Sequence, residues 1–133
     1  MADVKQARPE PKSPQMDVEA FWAAAEREEL MIKECQACGE PHFYPRMVCP
    51  HCLSDRVEWK AVSGRGEIYS YSTLMRKGLP GHTIAFVRLD EGVTLMTNII
   101  DADPQHLSIG QPVRAVFRQL KEDGPTLPLF VPA

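Results

Sequence analysis

The sequence predicts a small α+β protein, mostly β, made of a short N-terminal helix, a cysteine-built ribbon and a five-stranded barrel. Three observations carry this. Four cysteines fall in two C-x2-C pairs, Cys35 with Cys38 and Cys49 with Cys52, separated by ten residues. Beyond Ser63, five short β-prone runs are divided by glycine- and proline-marked turns. Ahead of the cysteines, Phe21, Trp22, Ala25 and Leu30 form an apolar stripe at helical spacing.

The helix is expected over residues 16–30, with Asp17 as its N-cap and Glu26, Arg27 and Glu28 on the wet side. Phe21 and Trp22 are large anchors that either pack on their own domain or dock a partner. Residues 1–15 carry Pro9, Pro11 and Pro14 among charged and small residues and read as a flexible arm. Residues 16–62 then form the helix and ribbon, and 63–133 the barrel.

In the ribbon, Leu30–Lys33 reads as a strand entering the first knuckle, His42–Tyr44 as the strand leaving it, and Val57–Trp59 as the strand leaving the second. A tight turn lets both sulfurs of a pair face one ion, and two such turns make a closed tetrahedral S4 site. Cys35, Cys38, Cys49 and Cys52 are the only cysteines, so the ligand set is complete without choice. The expected metal is structural zinc in a rubredoxin-like ribbon, with iron as the minor alternative. Four thiolates leave no open position for water or substrate, so this metal builds rather than catalyses. His51, inside the second knuckle, reads as a solvent-facing residue rather than a ligand.

The barrel strands are expected at Gly66–Leu74, Thr83–Leu89, Val93–Ile100, Val113–Leu120 and Leu127–Val131, an arrangement that suits a closed OB-type barrel. Thr83, Ala85, Val87 and Leu89 alternate with Ile84 and Phe86, so this strand is apolar on both faces. Its outer face should be covered by the ribbon, by the helix or by another protein. Tyr69 and Tyr71 fall on one parity with Glu67 and Thr73, as Arg114 and Arg118 do on the fourth strand.

Composition narrows the function. The 133 residues carry a formal charge of −3, and four thiolates around one divalent ion make it more negative still. A duplex- or strand-binding module normally carries a positive balance, which weighs against nucleic acid. No apolar run is long enough to cross a membrane, no secretory leader is visible, and metal-held thiols suit a reducing interior, so a cytoplasmic protein is expected. No nucleophile elbow, P-loop or dinucleotide fingerprint is present, and no catalytic residue is assigned. The best candidate contact loop is Met75–His82, which combines Arg76, Lys77 and two glycines and ends in His82.

The order of these features resembles a known family. The residues that carry it are Phe21-Trp22, the two cysteine pairs with Gly39 and Pro45-Arg46 between them, and Trp59. They continue with Gly64-Arg65-Gly66 leading into Glu67–Ser72, Leu89-Asp90-Glu91-Gly92, Gly110 and Leu127–Phe130. Together, over about residues 18–131, they resemble the zinc-ribbon OB-fold proteins that accompany thiolases and thiolase-like aldolases. The resemblance implies a subunit without catalysis of its own. Its partner would be a thiolase-superfamily subunit supplying a nucleophilic cysteine and a histidine base, in a hetero-tetramer or larger assembly. The shared ligand would be an acyl-CoA thioester, and the reaction thiolytic or retro-aldol carbon–carbon cleavage or acyl transfer, in settings such as β-oxidation. Some members of the family are fused to hot-dog hydratases. Arg46, Arg65, Arg76, Lys77 and His82 are the expected contacts to acyl-CoA or partner, since the phosphates of CoA favour guanidinium and ammonium donors. The alternative is a single-stranded nucleic-acid-binding ribbon and OB module.

Overall fold

The computed structural model describes residues 18–78 and 81–133. The arm expected at 1–15 and the Asp17 cap lie outside the described residues.

Helix α1 spans Glu19–Glu26, shorter than the 16–30 expected. It stops because Glu28 takes a left-handed φ of 61°. The amides of Glu28 and Glu29 then fold back onto the carbonyls of Ala25 and Ala24, at 3.0 and 2.9 Å. That is a Schellman stop, usually marked by glycine, and with glutamate in the place the sequence hides it. Leu30, which the sequence places both at the end of the helical stripe and at the start of the ribbon strand, belongs to the strand. Phe21, Ala24 and Ala25 are the buried face of the helix.

The ribbon is a three-stranded sheet in the order β2-β1-β3, with β1 at Leu30–Cys35, β2 at Pro41–His42 and β3 at Val57–Val62. All pairings are antiparallel; β1 runs along β3 from Leu30 opposite Val62 to Cys35 opposite Val57. Five further strands close a barrel: β4 Arg65–Leu74, β5 His82–Leu89, β6 Thr94–Ile99, β7 Pro112–Gln119 and β8 Thr126–Pro132. Their order around the wall is β4-β5-β6-β8-β7, the OB arrangement. Two seams are short. β4 meets β7 over Arg65–Glu67, and β6 meets β8 at the single parallel pair Ile99 and Phe130.

One core joins the two parts. Phe21, Leu30 and Ile32 from helix and ribbon are continuous with Ile68, Val87 and Phe130 inside the barrel. Phe117 of β7 packs against the same cluster, and α1 lies along β1 and β8. The helix therefore covers the β7–β8 side of the barrel, and the ribbon joins the same core through Leu30 and Ile32.

A β-bulge corrects the parity read from sequence. The β4–β5 register slips between Ile68 and Ser70. Tyr69 is the extra residue and is exposed, with the Arg88 guanidinium 4.7 Å from its ring centre. Tyr71 takes the other course. It pairs opposite Ala85, and its hydroxyl donates to the Leu107 carbonyl at 2.9 Å. A single inserted residue thus separates two tyrosines that simple alternation places together.

Candidate metal centre

The four cysteine sulfurs lie within 4.8 Å of one another. Cys35 Sγ is 3.6 Å from Cys52 Sγ, and Cys38 Sγ is 3.7 Å from Cys49 Sγ. A tetrahedral ion with Zn–S bonds of about 2.3 Å needs sulfurs about 3.8 Å apart. All four cysteines are free of disulfides, and Cys35 and Cys49 are buried where the two knuckles meet.

The knuckles are built alike. In the first, the amides of Ala37 and Cys38 donate to Cys35 Sγ at 3.3 and 3.5 Å; in the second, the amide of His51 donates to Cys49 Sγ at 3.4 Å. N–H groups aimed at sulfur stabilise thiolate. The amide of Cys38 leads in drawing the Cys35 thiol down to about 6. Cys38 goes the other way, to about 12: the Glu40 amide lowers it, and burial together with the neighbouring sulfurs outweighs that. Crowded sulfurs without a cation thus compete for ionisation, and a divalent ion removes the conflict. The donor set, spacing and amide dipoles suit a structural zinc held by Cys35, Cys38, Cys49 and Cys52, which would cross-link β1 to the β2–β3 connection.

His51 is exposed in the second knuckle and is not needed as a ligand. His42 plays a part the sequence did not reveal. It is 5% exposed, opposite Lys33 on β1, and its Nε2 accepts from the Arg46 amide at 3.3 Å. Burial first, then the charges of His51, Lys33 and Arg46, hold it below the usual histidine value. Lys33 is also buried, with its Nζ 4.9 Å from the centre of the Trp59 ring. Nothing local to Lys33 marks it, because only the pairing of β1 with β3 brings Trp59 opposite it.

The candidate ligand contacts do not converge. Arg46 is exposed between the knuckles, Arg65 begins β4, and Arg76 and Lys77 follow its other end. A ten-residue strand separates Arg65 from the Arg76–Lys77 turn, about 30 Å at the usual rise. His82 opens β5, where its Nε2 is 3.2 Å from the Asn98 amide nitrogen. Both residues border a half-open cavity of about 420 Å³ at the barrel mouth, lined also by Thr83, Asp101 and Leu129. Phe21 is buried, and its ring meets Trp22 edge-on at 5.1 Å and Phe43 at 5.7 Å, so both aromatics of the helix contribute to the chain's own packing. Among the described residues no helix is long and apolar enough to cross a membrane.

Comparisons with known proteins follow this division. Residues 22–58 match the ChsH2 rubredoxin-like zinc ribbon domain, and residues 59–118 match the ChsH2 C-terminal OB-fold domain. A DUF35 domain-containing scaffold protein of Methanocaldococcus jannaschii is 35% identical over 117 residues, which are 82% of this chain and 82% of that protein. A probable enoyl-CoA hydratase alpha subunit of Thermomonospora curvata is 38% identical over 122 residues, 86% of this chain but 37% of that longer protein. Among solved structures, a chain of the Ltp2-ChsH2(DUF35) aldolase superposes with a TM-score of 0.80 at 31% identity, covering 94% of this chain and 98% of that one.

Proposed function

The chain belongs to the DUF35 family, the ChsH2-type pairing of zinc ribbon and OB barrel, and from that premise we propose that it is the non-catalytic, zinc-containing subunit of a thiolase-type acyl-CoA enzyme. In this reading it binds the catalytic subunit and helps form the acyl-CoA site, for thiolytic or retro-aldol carbon–carbon cleavage or for acyl transfer. The observation that carries it is a four-sulfur site, complete as a metal ligand set, in a chain that superposes with a TM-score of 0.80 at 31% identity on a chain of an aldolase. Such a protein contributes surface and leaves the reacting groups to its partner. The names of its relatives support this: one is a subunit of an enoyl-CoA hydratase, and another is part of an aldolase.

Arg76 and Lys77, which follow β4, and His82, which opens β5 and lines the cavity at the barrel mouth, are proposed to border the CoA phosphates. Arg46 on the ribbon is the second candidate, and Arg65 is assigned below to the partner. The test is co-expression with a thiolase-type gene of the same genome. Expected are co-elution of the two chains and activity that needs both. A catalytic subunit that is soluble and fully active alone, and that does not co-elute with this chain, overturns the proposal.

A further inference from the structure

The barrel wall is unevenly clothed. The helix lies on the β7–β8 side, where Glu26, Arg27, Phe117 and Thr126 line the groove between helix and barrel. The outer face of β4, β5 and β6 is left exposed at its apolar centre. Ile84 is 44% exposed, Phe86 46% and Met96 65%. Phe86 and Met96 are directly opposite on β5 and β6, and Ile84 follows on the same face of β5. Across the other seam their neighbours on β4 are Ser70 and Ser72, side chains small enough to let another surface approach closely.

One end of this face is cationic. Arg65 on β4 is directly opposite Arg114 on β7, and Arg88 on β5 is opposite Glu67. Like charges facing each other across a pair are destabilising, and among the described residues neither Arg65 nor Arg114 meets a carboxylate within 4.0 Å. The bulge brings Tyr69 to the same end, under Arg88. Three arginines against one neighbouring carboxylate, Glu67, leave this end of the apolar field positive in a chain of net charge −3, a pattern that suits acidic groups from outside.

We propose that the outer face of β4–β5–β6 is where the catalytic subunit docks, its apolar centre on Ile84, Phe86 and Met96 and a carboxylate cluster of the partner between Arg65, Arg88 and Arg114. This rests on the function proposed above and names the surface that serves it. A protein occupant is favoured over single-stranded nucleic acid because the chain carries a net charge of −3, whereas strand-binding modules normally carry a positive balance. Large residues flanked by arginine are also the usual anchors of protein interfaces.

The test uses the full zinc-loaded chain and the co-expressed catalytic subunit, with binding measured by titration. Phe86→Asp and Met96→Asp should each weaken association about 100-fold, and Arg65→Glu with Arg114→Glu about 10-fold with a shallower salt dependence. Zinc content and far-UV circular dichroism should stay as in the parent, since all four side chains are exposed. Leu53→Asp on the second knuckle should bind normally. Parent binding that none of the barrel variants changes overturns the docking surface and leaves the function standing; so does binding lost only at Leu53. A parent chain that binds no thiolase-type subunit overturns the function, and the surface with it. Tight, steeply salt-dependent capture of single-stranded oligonucleotides through the three arginines, or self-association removed by Phe86→Asp, also overturns the assignment.

Discussion

Leu53 holds in the second knuckle the place that Gly39 holds in the first. Both backbones are left-handed, with φ of 67° and 79°, and each amide donates to the carbonyl of its knuckle's first cysteine at 2.9 Å. A leucine there has strain that a glycine lacks. Leu53→Gly should therefore raise stability by about 0.5–1 kcal/mol, the strain relieved less the backbone entropy glycine loses. Gly39→Ala should lower it by about 1 kcal/mol even though no atom lies within 4 Å of the added Cβ. Urea unfolding of the zinc-loaded protein checks both signs.

Metal removal should be felt beyond the ribbon. Structural zinc contributes on the order of 10 kcal/mol to segments this small. Because Leu30 and Ile32 share a core with the barrel, Cys49→Ser or a strong chelator should dissolve the ribbon and also lower the barrel's melting temperature. Elemental analysis together with amide hydrogen exchange resolves the two effects. Retained ribbon protection in zinc-free protein would contradict them.

Gly66 is required for a different reason from Gly39. A Cβ at Gly66 would overlap the backbone carbonyl of Arg88 and press on Val87 Cγ1 at 3.0 Å. Gly66→Ala should cost about 2 kcal/mol or more, since backbone cannot step aside. Gly81→Ala meets the sulfur of Met75 at 2.8 Å, the end of a flexible and exposed side chain, and should cost much less. Thermal melts of the two variants side by side test the contrast.

His42 predicts a pH dependence. Its folded-state pKa lies below the ordinary 6.5, chiefly through burial, so folding favours the neutral ring. The stability this supplies is present above pH 6.5 and is lost as pH falls through the folded value. Between pH 7.5 and 5.5 the zinc-loaded protein should lose stability, and His42→Gln should lose less over the same interval. Denaturant midpoints at the two pH values, with zinc retention confirmed at each, give the answer. An unchanged slope in the variant would show that other groups govern the interval.

The cysteine knuckles and the barrel strands were readable because their signals are local. C-x2-C spacing sets where two sulfurs point, and turn glycines bound strands whose pairing order an OB barrel then follows. Elements failed to be read where a residue departed from the rule of its type. Glu28 ends the helix from a glycine's place, and the bulge at Tyr69 breaks the alternation that would keep it with Tyr71. The candidate cations were each visible in the chain, but not that Arg65 and Arg76 sit at opposite ends of β4 or that Arg65 faces Arg114.

By itself, then, the chain's order of residues determined a four-thiolate ribbon, a five-stranded barrel and a β5 with apolar side chains on both faces. Only the tertiary structure decided which outer wall is covered. The helix settles against the β7–β8 side, and the face of Ile84, Phe86 and Met96 is left exposed. Periodicity is a property of neighbours along the chain, whereas coverage depends on contacts between segments far apart in it, and no local pattern encodes which of two apolar faces another segment will reach.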